Sequence, residues 1–452
     1  MNINPKEVIS RPWIYLPVEV KSRELLARVF FAAHAIKAGF GVFIGRNGMN
    51  ISRDHFPKGI YFEKCLSAHK VDFHEHQVSV LGNKLVSLDE EGLMFASEEV
   101  YLDKRISQKS VDLSELIFLW GEEQGRVLST RITDSGKMVV TGGPRVDTWK
   151  SEFSAFYQRE VNQLQARYGQ FILVVSNWGF SHLDKQEGFD PDNIYSGYPH
   201  TFVRAAFISL IKTLAKASPK HTIVVRPHPS DIPEYWMTKK QEFPSNVKVI
   251  YEGSISPWVY AAAAVIHNNC TTGVEAWVGR TPVISYSPEI EGIADWNQYT
   301  MPVNYLGRVC HDESAVVACV EASLFETTTP DRSNSDPQIK RFLYIDDHQS
   351  ATEKIIAHLK NINVPVEPYR VSHYNLWRKI RTQISASKWR TRDFLGLSGM
   401  YTRAYTLHKN PGIEQAELQD FFDRMTKIID VPTDFFRILQ VDKDTFCIVG
   451  NH

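Results

Sequence analysis

The run His221-Thr-Ile-Val-Val-Arg-Pro-His-Pro-Ser-Asp231 holds four consecutive β-branched residues, Thr222 to Val225, stopped by two prolines. Such a run predicts a buried strand with an abrupt end. Pro227 and Pro229 fix their own φ and push the residue before each out of the helical region, so Arg226 and His228 are carried on a stiff, extended backbone. Asp231 follows within reach. Ligands of open α/β sheets bind beyond the carboxyl ends of the strands, and a cation, an imidazole and a carboxylate gathered there suit an anionic substrate. A proline-rich turn with a solvated aspartate reads the same way from this segment alone.

Working outward, Phe171 to Val175 predicts a strand that ends in the small polar residues Ser176 and Asn177 before Gly179. Pro199 to Ala215 has helical periodicity and leads into the central run, Val247 to Tyr251 predicts the next strand, and Thr281 to Tyr286 closes a second sheet. Between them, Val265-Ile-His-Asn-Asn-Cys-Thr-Thr-Gly-Val-Glu-Ala276 combines a strand end, a polar turn and a helix start. Backbone N–H groups at a helix N-terminus cradle anions, so Thr271 and Thr272 are expected to hold a phosphate or carboxylate. The two hydroxyls, with His267, Asn268 and Asn269, exceed what capping needs. Glu275, one turn into that helix, is placed to grip ribose hydroxyls. The loop through Ser256 and Pro257 to Trp258 suits a planar base, although a core tryptophan explains it equally well.

Toward the N-terminus, Trp13 to Pro17, a helical pattern from Leu25 to Ile36, and Gly41 to Ile44 form a βαβ unit, which implies a parallel sheet. The turn after the first of these strands carries Glu19, Lys21, Arg23 and Glu24, either to meet a substrate or as an exposed first turn. Lys58 to Phe62, Val78 to Leu81, Leu116 to Trp120 and Met138 to Val140 continue the strand pattern. At Asp89, Glu90 and Glu91 three consecutive carboxylates follow an apolar run. Crowded carboxylates raise one another's pKa, so the cluster offers a general base, unless it is a solvated acidic turn. Gly142-Gly143-Pro144-Arg145 makes either a close ligand approach or a tight turn. The polar amphipathic helix from Trp149 to Tyr168 is suited to joining two domains.

With 452 residues, 43% hydrophobic and 23% charged, the chain has room for two or three cores, and its net charge of −1 gives no global attraction for nucleic acid. The five cysteines form no C-x-x-C pair, and no spacing of metal ligands appears, so a reducing cytoplasm and metal independence are expected. Met1 to Arg11 lacks the apolar core of a signal peptide, and no apolar run approaches the roughly 18 residues that span a bilayer. Tyr369 to Lys409 holds nine basic residues against one acidic, with aromatics interspersed. That composition suits peripheral contact with an anionic membrane face or a lipid-linked acceptor, and solvated helix faces suit it equally.

These features predict an α/β protein: two doubly wound Rossmann-like domains facing a cleft, of glycosyltransferase-B type, at 1–168 and 169–350, with a helical extension at 351–452. The ordered set Leu16-Pro-Val-Glu-Val-Lys-Ser-Arg-Glu-Leu25, Lys58-Gly-Ile-Tyr-Phe62, Ser87-Leu-Asp-Glu-Glu-Gly92, Gly143-Pro-Arg-Val-Asp147, Arg226-Pro-His-Pro229 and Thr271-Thr272 resembles the bacterial surface-carbohydrate family that includes the retaining β-Kdo transferases of O-antigen and capsule assembly. The resemblance covers about residues 13 to 290. It implies a CMP-Kdo donor, a lipid-linked or polysaccharide acceptor in lipopolysaccharide or capsule synthesis, no cofactor, and a site on the cytoplasmic face of the inner membrane. It further implies that His228, Thr271 and Thr272 bind the nucleotide phosphate and that Asp231 is the nucleophile. Arg226 would help neutralise the sugar carboxylate. A CMP-sialic acid transferase, a CDP-glycerol phosphotransferase with His228 as general base, and a non-catalytic carbohydrate-binding scaffold are the other readings.

Overall fold

A computed structural model describes residues 8–46, 56–93, 95, 97–179, 199–228, 231–290, 302–325, 337–370, 391, 407 and 409–451. The chain divides into two units, one built from 1–92, 102–148 and 344–452, the other from 93–101 and 149–343.

The first unit contains the short antiparallel pair β1 (Val8–Arg11) and β14 (Glu367–Arg370) and an eight-stranded sheet. The sheet strands are β2 (Trp13–Val18), β3 (Gly41–Arg46), β4 (Gly59–Glu63), β5 (Lys84–Leu88), β6 (Ser114–Leu119), β7 (Met138–Val140), β15 (Phe436–Asp442) and β16 (Thr445–Gly450), in the order β15-β16-β3-β2-β4-β5-β6-β7. All pairs from β3 to β7 are parallel, and β15 and β16 join antiparallel. β2 is buried along its whole length, as the unbroken apolar run Trp13-Ile-Tyr-Leu requires of a central parallel strand.

The second unit holds β8 (Phe171–Val175), β9 (Thr222–Arg226), β10 (Val247–Val249), β11 (Ala264–His267), β12 (Val283–Tyr286) and β13 (Arg308–Cys310). They form an all-parallel sheet in the order β10-β9-β8-β11-β12-β13. Its core gathers Ile172, Val174, Ile223, Val225 and Ile266 from the strands with Phe207, Leu210 and Leu214 from the helix His200–Ala217. Both units are Rossmann-like, as the alternation of strands and helices predicts.

Several expectations need correction. The boundary falls at 148 rather than 168, so the helix Ser154–Tyr168 belongs wholly to the second unit, and the chain returns to the first at 344. Residues 351–452 are not a helical extension. Helix Ala351–Lys360 and helix Gln415–Ile428 alternate with β14 and with the β15–β16 hairpin, whose last strand pairs with β3. Val78 to Leu81 is no strand: Val78 and Val80 belong to the wide helical turn His76–Val80, where Val80 is exposed. An alternating pair of valines is too short to separate a strand from a helix end.

Candidate functional site

Strand order fixes where a site can form. From β8 the chain advances through β9 and β10 to one side and through β11 to β13 to the other, so the loops after β8 and β11 diverge and leave a crevice at the carboxyl ends. The first unit has the same reversal between β2 and β4. In each unit the switch point carries a concentration of polar side chains.

In the second unit, Asp231 is the best-defined group. The peptide N–H of Asp231 donates to the His228 carbonyl at 2.9 Å, closing a tight turn just beyond β9. Its carboxylate Oδ2 accepts from Trp236 Nε1 at 2.9 Å, His228 N at 3.1 Å and Ser176 Oγ at 3.1 Å. Burial pushes this carboxyl up to about 6, against the lowering effect of those three donors and of Arg204. Among the described residues, no hydrogen bond reaches Oδ1. A Cβ on Gly179 would stand 2.1 Å from Asp231 Oδ2, so only glycine leaves room for the carboxylate there. His228 itself is exposed beside it.

Asn177 Nδ2 donates to the Asn269 carbonyl at 2.6 Å, tying the loop after β8 to the loop after β11 across the switch point. Asn268 Nδ2 donates to the Tyr286 carbonyl at 2.7 Å, which holds the turn to β12. Helix Thr271–Val278 begins there, with Cys270 as N-cap and no side-chain capping bond. Thr271 is half-buried, Thr272 is buried, and Glu275 is buried one turn in. Chemically, the crevice offers a helix start, hydroxyls, amides and one carboxylate that is easily protonated.

Two expected ligand contacts are corrected. Arg226 is spent on the fold: Nη1 donates to the Glu252 carbonyl, Nη2 to the Gly253 carbonyl at 2.8 Å, and the guanidinium lies 5.1 Å from the centre of the Trp258 ring. Burial lowers its pKa to about 10, with Glu252 acting in the opposite direction. His267 is fully buried beneath the turn, 3.0 Å from Ser285 Oγ, and burial alone drops its pKa to about 3. It is a neutral packing group. Gly273 sits against its ring, where a Cβ would lie 2.4 Å from Nε2. Gly273→Ala is therefore expected to cost about 1–3 kcal/mol, read as a fall in thermal unfolding temperature; an unchanged temperature would contradict this packing. Trp258 is core as well, packed 5.9 Å from Phe171 and 5.5 Å from Tyr168, and Ser256 and Pro257 are buried at the start of its helix. No base platform forms there.

In the first unit, the loops after β2, β4 and β5 meet in a buried ion network. Glu24 Oε2 accepts from Glu19 N at 2.7 Å, and its Oε1 accepts from Lys64 Nζ at 3.1 Å and Arg23 Nη2 at 3.2 Å. Lys64 also pairs with Glu19 at 2.7 Å, and Lys409 reaches Glu19 at 3.6 Å. Burial alone would raise the Glu24 carboxyl, but Lys64, Arg23 and Arg28 outweigh it and hold the group down at about 2. Glu24 is thus a permanent anion and no general acid or base at neutral pH. Glu63, at the end of β4, is paired with Lys70 at 2.8 Å and His74 at 3.2 Å.

Each of the three consecutive carboxylates meets an arginine, and Asp89 and Glu91 share one. Asp89 takes Arg105 Nε at 3.1 Å and Nη2 at 2.5 Å, Glu91 meets Arg105 at 3.2 Å, and Glu90 lies between Arg28 at 3.2 Å and Arg145 at 3.7 Å. Asp89 is raised, with burial as the main cause and Arg105 opposing it. Lys21 is paired with Glu417 at 2.7 Å and serves the attachment of helix Gln415–Ile428. Sequence reading missed Trp236 and Arg204 around Asp231, and Lys64, Glu63, Arg28 and Arg105 in the first unit. Position at the ends of β4 and β8 was the available signal.

Among the described residues there is no cluster of three metal-ligating side chains, and no helix is long and apolar enough to cross a membrane. Apart from Tyr369, Arg370, Thr391, Leu407 and Lys409, the basic segment Tyr369 to Lys409 lies outside the described residues.

No protein-family model matches the sequence, and no curated protein matches it. Solved structures similar to the chain include UDP-GlcNAc 2-epimerase of Methanocaldococcus jannaschii, 12% identical, covering 77% of this chain and 99% of the other with a TM-score of 0.49. UDP-N-acetylglucosamine 2-epimerase of Rickettsia bellii is 9% identical over 77% of this chain and 96% of its own, with a TM-score of 0.48. Anabaena HepE in complex with UDP and glucose is 12% identical over 78% and 100%, with a TM-score of 0.42. The fold assignment itself rests on the strand orders above.

Proposed function

We propose that the chain is a nucleotide-sugar enzyme whose second unit holds a CMP-sugar and transfers a Kdo-type sugar acid, with retention, to a polysaccharide or lipid-linked acceptor. One observation carries this reading: at the carboxyl end of β9, Asp231 has one oxygen fixed by three donors while the other has no partner among the described residues. A double displacement needs such a carboxylate. Oδ1 bonds to the anomeric carbon as the bond from that carbon to the CMP phosphate oxygen breaks. The acceptor hydroxyl, losing its proton to solvent, then displaces the aspartate from the same carbon. Thr271, Thr272 and the start of their helix receive the phosphate, with His228 exposed beside Asp231.

The test is release of CMP from CMP-Kdo in the presence of acceptor glycan, with CMP-sialic acid, CDP-glycerol and UDP-GlcNAc as parallel donors. Turnover confined to CDP-glycerol or UDP-GlcNAc would overturn the reading. A single phosphate is met here by hydroxyls and N–H groups, so chelator is expected to leave turnover unchanged. Loss of activity in EDTA and its return with magnesium would count against that. Peripheral membrane contact through Tyr369 to Lys409 belongs to the same proposal: each basic residue contributes about 1 kcal/mol at an anionic surface, screened by salt. The full chain is expected to sediment with anionic vesicles at low salt and to leave them at high salt; no sedimentation at low salt removes the idea.

A further inference from the structure

Three asparagines meet at the switch point of the second unit, each from a different strand end. Asn177 follows β8, Asn269 follows β11, and Asn304 lies in the short turn Pro302–Tyr305 ahead of β13. Asn269 has φ of 48°, in the left-handed region, which asparagine enters more readily than most residues with a side chain. Both neighbours hold it there. The Asn269 N–H donates to Asn304 Oδ1 at 2.7 Å, and its carbonyl accepts from Asn177 Nδ2 at 2.6 Å.

Each flanking amide thus spends one end on Asn269. The other ends, Asn177 Oδ1 and Asn304 Nδ2, are buried without a hydrogen-bond partner among the described residues, and Asn304 is only 3% exposed. Unmet buried amides are costly and uncommon, and two flanking one residue mark a place where a ligand completes the bonding. One of the two is an acceptor and the other a donor. A phosphate or carboxylate oxygen can only accept, and would meet Asn177 Oδ1 lone pair against lone pair. A hydroxyl answers both, donating to Asn177 Oδ1 and accepting from Asn304 Nδ2.

We infer that the Asn177–Asn269–Asn304 turn is a subsite for a carbohydrate hydroxyl of the nucleotide sugar, with Asn304 as its specificity-determining residue. This rests on the nucleotide-sugar reading of the second unit. It also divides the labour within the turn, since the anion belongs to the helix start at Thr271 and Thr272 and the hydroxyl to the amides beside it. The hydroxyl has two possible sources, the ribose and the transferred sugar.

Asn304→Asp keeps an acceptor for the Asn269 N–H and removes the donor, so the turn is retained and thermal unfolding should stay close to wild type. Calorimetric titration of the full chain with CMP, 2′-deoxy-CMP, 3′-deoxy-CMP and CMP-N-acetylneuraminate then reads specificity rather than affinity alone, which cancels the charge that aspartate adds. A site built to bond a hydroxyl rejects the analogue that lacks it. Wild type is expected to prefer CMP over one deoxy analogue by about tenfold or more, and Asn304→Asp to lose that preference; this identifies a ribose hydroxyl. Loss instead of the preference for CMP-N-acetylneuraminate over CMP identifies a hydroxyl of the sugar. Preferences identical in the variant and wild type overturn the subsite while leaving the nucleotide reading intact. No binding of any of the four by wild type overturns that reading and the subsite with it. If the variant fails to fold, wild-type affinities that do not distinguish CMP from either deoxy analogue or from the CMP-sugar overturn the subsite on their own.

Discussion

If Asp231 is the nucleophile proposed above, Asp231→Asn is expected to lose sugar transfer by about 10⁴-fold or more while keeping nucleotide affinity and gaining stability at pH 8. The amide oxygen can still accept from Trp236, His228 and Ser176 in place of Oδ2, so the turn survives, whereas the amide cannot form the bond to the anomeric carbon. The stability gain follows from the sign of the pKa shift. Burial raises this carboxyl from 3.8 to about 6, so the folded state holds the proton more tightly than the unfolded chain does. Ionised Asp231 therefore costs the fold stability above pH 6, on the order of 2–3 kcal/mol, and the cost disappears as pH falls through the interval to about 4. The neutral amide of the variant never bears that cost, so its advantage should be present at pH 8 and absent below pH 4. Transfer by the wild type should rise with pH through about 6 and then level off, as a nucleophile that must be ionised requires. A lower unfolding temperature for Asp231→Asn at pH 8, or transfer within tenfold of wild type, would show that Asp231 is a structural clamp and nothing more.

The largest loss of stability is expected at Glu63. Its carboxylate is fully buried, accepts from Lys64 N at 2.7 Å, and is paired with Lys70 and His74, whose Nδ1 lies 2.9 Å from Ser110 Oγ. Glu63→Gln leaves the half-buried Lys70 without a counter-charge and weakens the contact with the buried His74, and breaking a buried pair from one side costs about 3–5 kcal/mol. Urea denaturation at pH 7 measures this directly, and a loss under about 1 kcal/mol would mean that water already reaches the network. Burial would raise the Glu63 carboxyl, but Lys70 and His74 prevail and hold it well below the ordinary glutamate range. The stability it supplies is accordingly complete above pH 4.5 and is lost as pH falls below that. Glu24, held at about 2, acts in the same direction. Wild type should therefore lose stability steeply between pH 4.5 and 2, and Glu63→Gln less steeply.

The parallel strands of the second unit were legible because strands covered on both faces are written as unbroken apolar runs, as in Phe171 to Val175 and Thr222 to Val225. β13 was not: Arg308-Val-Cys310 is three residues long with two of them exposed, and nothing local distinguishes it from a loop. The hairpin Phe436 to Gly450 has a readable turn at Lys443-Asp444, but its partner β3 lies about 400 residues earlier, and no local pattern encodes such a pairing. The site followed the same division. Asp231 could be singled out because prolines stiffen its approach, and Asn177 and Thr271 because they end apolar runs. The pairing of Glu24 with Lys64, or of Glu90 with Arg28 and Arg145, depends on which strand ends the sheet order brings together. Those counter-charges lie beyond the reach of any local sequence pattern.

The pairing of β16 with β3 has a consequence for how the molecule is made. β3 leaves the ribosome about 400 residues before the strand that covers its edge. The second unit, formed mostly from the continuous stretch 149–343, has all its strands available well before then. The order of folding on the ribosome is thus expected to run against the order of the sequence, with the later unit completed first and the earlier one left with an open sheet edge. An unpaired edge is a template for wrong partners. The nascent first unit is accordingly expected to be more open to mispairing than the second.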